Sequence, residues 1–158
     1  MAEPIAPIEE TVALPLPPER AYAVFKDEFG AWWPGDYTYS GPGGLQAISL
    51  GAAAGDLCTE IGPHGFRVDW GRMLDVEPSR RLRFLWQIAD DRTPRPDPAA
   101  SSEVEVVFEP DPGGSIVRLT HSGFERYGEG GVRYRAEMAA EYGWPLIMAK
   151  FADHARAR

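Results

Sequence analysis

The stretch from Arg133 to Arg158, RYRAEMAAEYGWPLIMAKFADHARAR, constrains the fold more than any other part of this chain. Trp144, Ile147, Met148, Phe151 and Ala155 recur at steps of three and four, so a helix sets them on one face. Glu141, Lys150, Asp153 and Arg156 lie off that stripe. Pro145 interrupts it. A proline cannot donate to the carbonyl four residues earlier, so a kink or break is expected within a turn of Glu141, and Gly143 eases the bend. A long helix with one apolar face needs a surface to cover. If it does not seal that surface completely, the gap beneath it is a pocket.

Strands supply the surface. Ile8, Glu10, Val12 and Leu14 alternate with Glu9, Thr11 and Ala13. Pro18 and Glu19 then open a helix whose buried side carries Tyr22, Phe25 and Phe29 and which ends near Gly30. Trp32-Trp33-Pro34 follows; one indole is expected to pack inward and the other to lie at a surface or pocket mouth. Gly35 to Gly44 reads as loop. Leu45, Ala47 and Ser49 give a short strand, and Leu57, Thr59 and Ile61 another. Phe66 to Val76 is long enough for a full strand, and Leu82 to Ile88 alternates most cleanly. Asp91 to Ser102 is polar, proline-rich and without period, hence an extended loop. Val104, Val106 and Phe108, then Val117, Leu119 and His121, form two strands joined by the turn Asp111-Pro112-Gly113-Gly114. Short connections favour antiparallel pairing. The expected architecture is α+β: about six or seven antiparallel strands packed around the terminal helix, in one domain over residues 1–158.

Charge excludes some functions. Sixteen basic against 24 acidic residues leave a net charge of −8, which opposes binding to nucleic acid or an anionic membrane. No apolar run approaches the ~20 residues of a membrane span, and the first residues lack a secretory pattern. Cys58 is the single cysteine, so no internal disulfide forms. A cytoplasmic protein, monomer or homodimer, is expected.

The order strand, helix, meander, long helix resembles the helix-grip fold of the START-like, SRPBCC superfamily. LPLPPERAYAVF (Leu14 to Phe25), WWP (Trp32 to Pro34), WGRMLDVEPSRRLRFLW (Trp70 to Trp86), GGSIVRLTHSGF (Gly113 to Phe124) and Gly143-Trp144 resemble the branch of activators of heat-shock-protein-90 ATPase. The resemblance implies a curved sheet gripping the C-terminal helix with a cavity between them. Its members include binding proteins, lipid transporters, cyclases and a co-chaperone domain, so the fold does not by itself select a chemistry.

Candidate site residues follow from parity. Trp33, Trp70, Phe84, Trp86, Phe108, Trp144 and Phe151 face the space between sheet and helix, as packed core or as cavity wall. Met148 shares the helical stripe. Arg72 shares the parity of Val68, Trp70, Leu74 and Val76. Either it faces inward and binds an anionic ligand group, or it pairs with Glu60 or Asp69, or a bulge at Gly71 turns it out. His121 shares parity with Val117 and Leu119, as a ligand contact, a proton donor or a histidine satisfied within the fold. Tyr142 and Tyr37 are further polar candidates. No zinc-type ligand spacing, nucleophile elbow, phosphate loop or dinucleotide fingerprint occurs, so neither a metal nor another cofactor is expected. The leading expectation is a module binding a small hydrophobic or amphipathic ligand. A polyketide cyclase or dehydratase on the same cavity, and an interaction domain modulating a chaperone ATPase, are the alternatives.

Overall fold

In the computed structural model, which describes residues 3–158, seven strands form a single curled antiparallel sheet. They are β1 (Ile8–Leu14), β2 (Ala47–Ser49), β3 (Leu57–Ile61), β4 (Arg67–Glu77), β5 (Arg81–Trp86), β6 (Ser102–Asp111) and β7 (Gly114–Ser122). Their order is β1-β7-β6-β5-β4-β3-β2. Strands β2 to β7 form a meander, and β1 adds to its edge beside the last of them, with Ile8 opposite His121 and Leu14 opposite Ser115. Helices α1 (Pro18–Asp27) and α2 (Phe29–Trp32) follow β1, and α3 (Gly131–Ala139) and α4 (Trp144–Arg156) end the chain. This is the helix-grip architecture that the sequence leads one to expect.

Alternation places the core where the pattern is clean. On β6, Ser102, Val104, Val106 and Phe108 are buried, and on β7, Ser115, Val117, Leu119 and His121. The opposite face of β4, β5 and β6 is a charged ladder. Arg83 joins Asp75 and Glu103 at 2.9 Å each, and Arg81 joins Glu105 at 2.6 Å and Glu77 at 3.1 Å. Such half-exposed pairs contribute little individually, on the order of 1 kcal/mol or less.

Two strands invert their expected faces. Ile48, not Ala47 or Ser49, is buried on β2, and Cys58 and Glu60, not Leu57, Thr59 and Ile61, are buried on β3. Glu60 explains the inversion. Its carboxylate accepts from Tyr39 N (3.0 Å), Ser40 N (2.7 Å) and Ser40 Oγ (2.6 Å). A loop remote in sequence supplies the donors that make a buried carboxylate tolerable.

Strand β4 is irregular on both sides. Its pairing with β3 shifts between Cys58 and Thr59, and its pairing with β5 shifts between Met73 and Asp75. The bulges re-aim the side chains between them. Trp70, Gly71 and Met73 are buried and Arg72 is exposed, its Nη1 donating to Gly55 O at 2.9 Å. Gly71 has to be small, because a Cβ there would lie 2.6 Å from Leu85 O.

The C-terminal segment is two helices. α3 stops at Ala139 and α4 starts at Trp144, with Gly143 as N-cap and Pro145 in the first turn. A missing N–H costs nothing there, since the first turn has no intrahelical acceptor for it. The expected bend is a full break. The stripe Trp144, Ile147, Met148, Phe151 and Ala155 is buried as its spacing requires. Strand β5 ends at Trp86, two residues short of expectation, and Ile88 makes only an isolated bridge to Pro94. The proline-rich loop is nonetheless tied to the sheet end: Ala89 N donates to Thr93 O, and Arg95 N to Gln87 O, each at 2.8 Å.

Candidate functional site

The break between α3 and α4 and the end of β5 leave a cavity of about 520 Å³. Trp33, Trp86, Ile88, Met138 and Ile147 form its apolar wall. Asp36, Thr38, Arg92 and Glu137 place polar groups along it, together with Tyr37, Tyr39 and Tyr142. Trp33 is held rigidly. It stacks on Phe29 with centroids 5.0 Å apart, Phe29 stacks on Trp70 at 5.6 Å, and the Trp33 indole N–H donates to Tyr37 O at 3.1 Å. Its neighbour Trp32 turns into the core and donates to Phe25 O at 3.1 Å. Trp86 is fixed by a donation from its Nε1 to Tyr134 Oη at 2.8 Å, and Tyr134 in turn donates to Ile88 O at 3.1 Å.

Two tyrosines tie the mouth together. Tyr37 Oη donates to Tyr142 O at 2.6 Å, joining the segment after α2 to the α3–α4 connector. Tyr39 Oη donates to Arg92 O at 2.7 Å, joining it to the proline-rich loop. Arg92 donates to Asp90 O (2.8 Å) and Glu137 Oε1 (3.2 Å), and its guanidinium lies 4.5 Å from the Tyr134 ring centroid. Burial, reinforced by the charges of Glu60 and Asp91, pushes the Tyr39 phenol up to about 12.

The expected residues divide sharply. Trp33, Trp86, Tyr37 and Tyr142 border the cavity. Trp70, Phe84, Phe108, Trp144 and Met148 do not; they are packed core, each 3 % exposed or less. Phe151 is packed with them, 5.0 Å from Phe25. Arg72 lies outside the cavity because the bulges reverse its parity. His121 points inward, as expected, but it has no exposed surface and does not reach the cavity. The Trp144 indole donates to His121 Nδ1 at 2.9 Å, so the ring proton sits on Nε2 and is given to Ser102 Oγ at 2.7 Å. Ser102 Oγ donates to Tyr127 Oη at 2.7 Å, which donates to Trp86 O at 3.0 Å. Every member of this chain is satisfied. Burial holds the imidazole neutral, with its pKa lowered to about 3. It is a structural histidine with no free nitrogen for acid–base work.

Sequence reasoning missed Asp36, Tyr39, Arg92, Glu137, Met138 and Ile147 as cavity residues. Most sit in loops or at helix ends, where no periodicity marks a direction. Ile147 was visible only as a core position.

Comparison with known proteins agrees with this architecture. The chain aligns over 97 % of its length with an anthrahydroquino-Gama-pyrone synthase, at 26 % identity and a TM-score of 0.64, covering 99 % of that chain. Protein MLL2253 from Mesorhizobium loti shares the fold at 21 % identity and a TM-score of 0.62, with 94 % of this chain and 95 % of that one covered. Protein CV1439 from Chromobacterium violaceum does so at 19 % and 0.60, with 96 % and 99 % covered. None of the curated proteins matches the chain. Residues 15–156 match the family described as Activator of Hsp90 ATPase homolog 1-like protein. The match runs from Pro15, just after β1, to the end of α4, and with the helix-grip sheet it places this chain in that family.

Proposed function

We propose that the chain binds a small hydrophobic or amphipathic molecule in the cavity between the curled sheet and the bent C-terminal helix pair. The observation that carries this reading is a space of about 520 Å³ walled by two fixed indoles and three aliphatic side chains, with polar groups along its edge. That volume lies within the roughly 300–1,000 Å³ usual for small-molecule sites. Trp33, Trp86 and Tyr142 are the ligand contacts this reading retains from sequence, with Tyr37 as the polar partner. Titration with fatty acids, flavonoids and aromatic polyketides is expected to quench or shift tryptophan emission saturably for at least one compound. Ile147→Trp, which would fill the cavity, is expected to weaken that response at least tenfold. A panel without any effect on the emission refutes the reading and leaves a chaperone-directed interaction domain as the better one.

The similarity to a synthase favours a second reading, a cyclase-like enzyme on the same cavity. Its acid–base groups would be Asp36, Glu137 or Tyr39, since those line the space and His121 does not. Turnover of an aromatic polyketide precursor, lost in Asp36→Asn or Glu137→Gln, would favour it over simple binding.

A further inference from the structure

Most side-chain hydrogen-bond donors along the cavity already have acceptors; the Tyr142 hydroxyl and the Arg92 Nε–H are the exceptions among the described residues. Trp33 Nε1 donates to Tyr37 O, Trp86 Nε1 to Tyr134 Oη, Tyr37 Oη to Tyr142 O and Tyr39 Oη to Arg92 O. Thr38 Oγ1 donates to Gly35 O at 2.7 Å. Among the described residues Arg92 is the one cation on the wall, and Asp90 O, Glu137 and the Tyr134 ring engage it. Acceptors, by contrast, remain. Among the described residues no side-chain hydrogen bond or ion pair engages the Asp36 carboxylate, and Glu137 uses only Oε1. A ligand anion entering here would find few N–H or O–H groups and two carboxylates.

We propose that the ligand's polar end is a hydrogen-bond donor with positive charge, an ammonium group, seated at the mouth beside Asp36 with an aromatic or apolar body inward against Trp33 and Trp86. The proposal deepens the binding reading of this cavity and rests on it. The mouth suits such a group for two reasons. Three phenols, Tyr37, Tyr39 and Tyr142, line it, and aromatic rings and phenol oxygen lone pairs attract a cation. The surrounding field is also negative. Buried Glu60 has no ion-pair partner among the described residues, and its charge and that of Asp91 reach the Tyr39 phenol despite the opposing Arg92. The net charge of −8 adds long-range attraction for a cation.

Calorimetric titration with three probes of matched shape tests this: naphthylmethylamine, naphthylmethanol and naphthylacetic acid. The amine is expected to bind at least tenfold more tightly than the acid, with the alcohol between them. A charge-assisted hydrogen bond is worth about one decade or more in affinity. Asp36→Asn is expected to remove about tenfold of the amine's affinity and to leave the alcohol's unchanged. Asp36 is exposed, so the substitution leaves the core intact. Equal binding of all three probes, or preference for the acid, overturns the ammonium inference while the binding reading stands. An amine whose affinity is indifferent to Asp36→Asn overturns it as well. No binding by any probe, in a protein that also ignores the wider panel, overturns both.

Discussion

Burial bears on the protonation of His121. It is fully buried, neutral, and wedged between Ser102 and Trp144 by hydrogen bonds at both ring nitrogens. Its folded pKa, about 3, lies below the unfolded value of about 6.5. Between those values the unfolded chain takes up a proton that the native one refuses. Stability is therefore full above about pH 6.5 and falls as pH drops through that value, by about 1.4 kcal/mol per pH unit. Urea unfolding is expected to show this loss between about pH 6.5 and pH 5, before most carboxylates titrate. His121→Gln is expected to flatten the slope and to cost about 1–3 kcal/mol at neutral pH by breaking the hydrogen-bond chain. An unchanged slope in the variant would assign the pH dependence elsewhere. The inward direction of His121 was legible from its parity with Val117 and Leu119. Its partners were not, because Ser102 and Trp144 are 19 and 23 residues away.

At the level of elements, the division of the C-terminal segment is set by glycine more than by proline. Gly143 lies so close to Met138 O that a Cβ would collide with it. Pro145 sits where helix geometry asks for no donor. Thermal melts are expected to show Gly143→Ala destabilising the fold by about 1–3 kcal/mol, since the connector must move to admit the methyl group. Pro145→Ala is expected to cost less than about 1 kcal/mol and to leave the break in place. The opposite ranking would mean that the proline enforces the bend. The same connector carries Tyr142 O, the acceptor of Tyr37, so Gly143→Ala also loosens one wall of the cavity. Strand β4 teaches the complementary lesson. Its alternation reads as uniform from Val68 to Val76, yet two bulges turn Arg72 to solvent. A bulge depends on what the neighbouring strands present, and a single strand's pattern does not encode it.

On the scale of the whole molecule, β1 forms one edge of the sheet by pairing with β7, and the C-terminal helices are pinned to β1 and the residues just before it. Arg156 donates to Ala13 O at 3.0 Å, and Arg135 to Ala6 O and Pro7 O at 3.0 and 2.9 Å. First strand, last strand and last helix thus depend on one another, which favours cooperative unfolding. Cys58 reports on that cooperativity from the far side of the sheet. It has no exposed surface, and burial pushes its thiol up to about 12. The native protein is expected to resist thiol reagents, with labelling in mild urea tracking global unfolding by circular dichroism. Labelling well below the unfolding transition would show that β2 and β3 open separately.

The amino-acid sequence by itself determined the elements, their antiparallel character and the buried stripe of α4, because periodicity records which side of an element meets the core. It also set Trp33 and Trp86 among the aromatic residues expected to face the space between sheet and helix, as core or as cavity wall. Only the tertiary structure decided which aromatic residues border empty volume and which fill the core. Trp86 and Phe84 share one parity on one strand, yet only Trp86 lies at the strand end that the broken helix leaves uncovered. The polar edge was decided there too. Asp36, Tyr39, Arg92 and Glu137 come from three segments with no common period, and they meet because a loop, a strand end and a helix break converge in space.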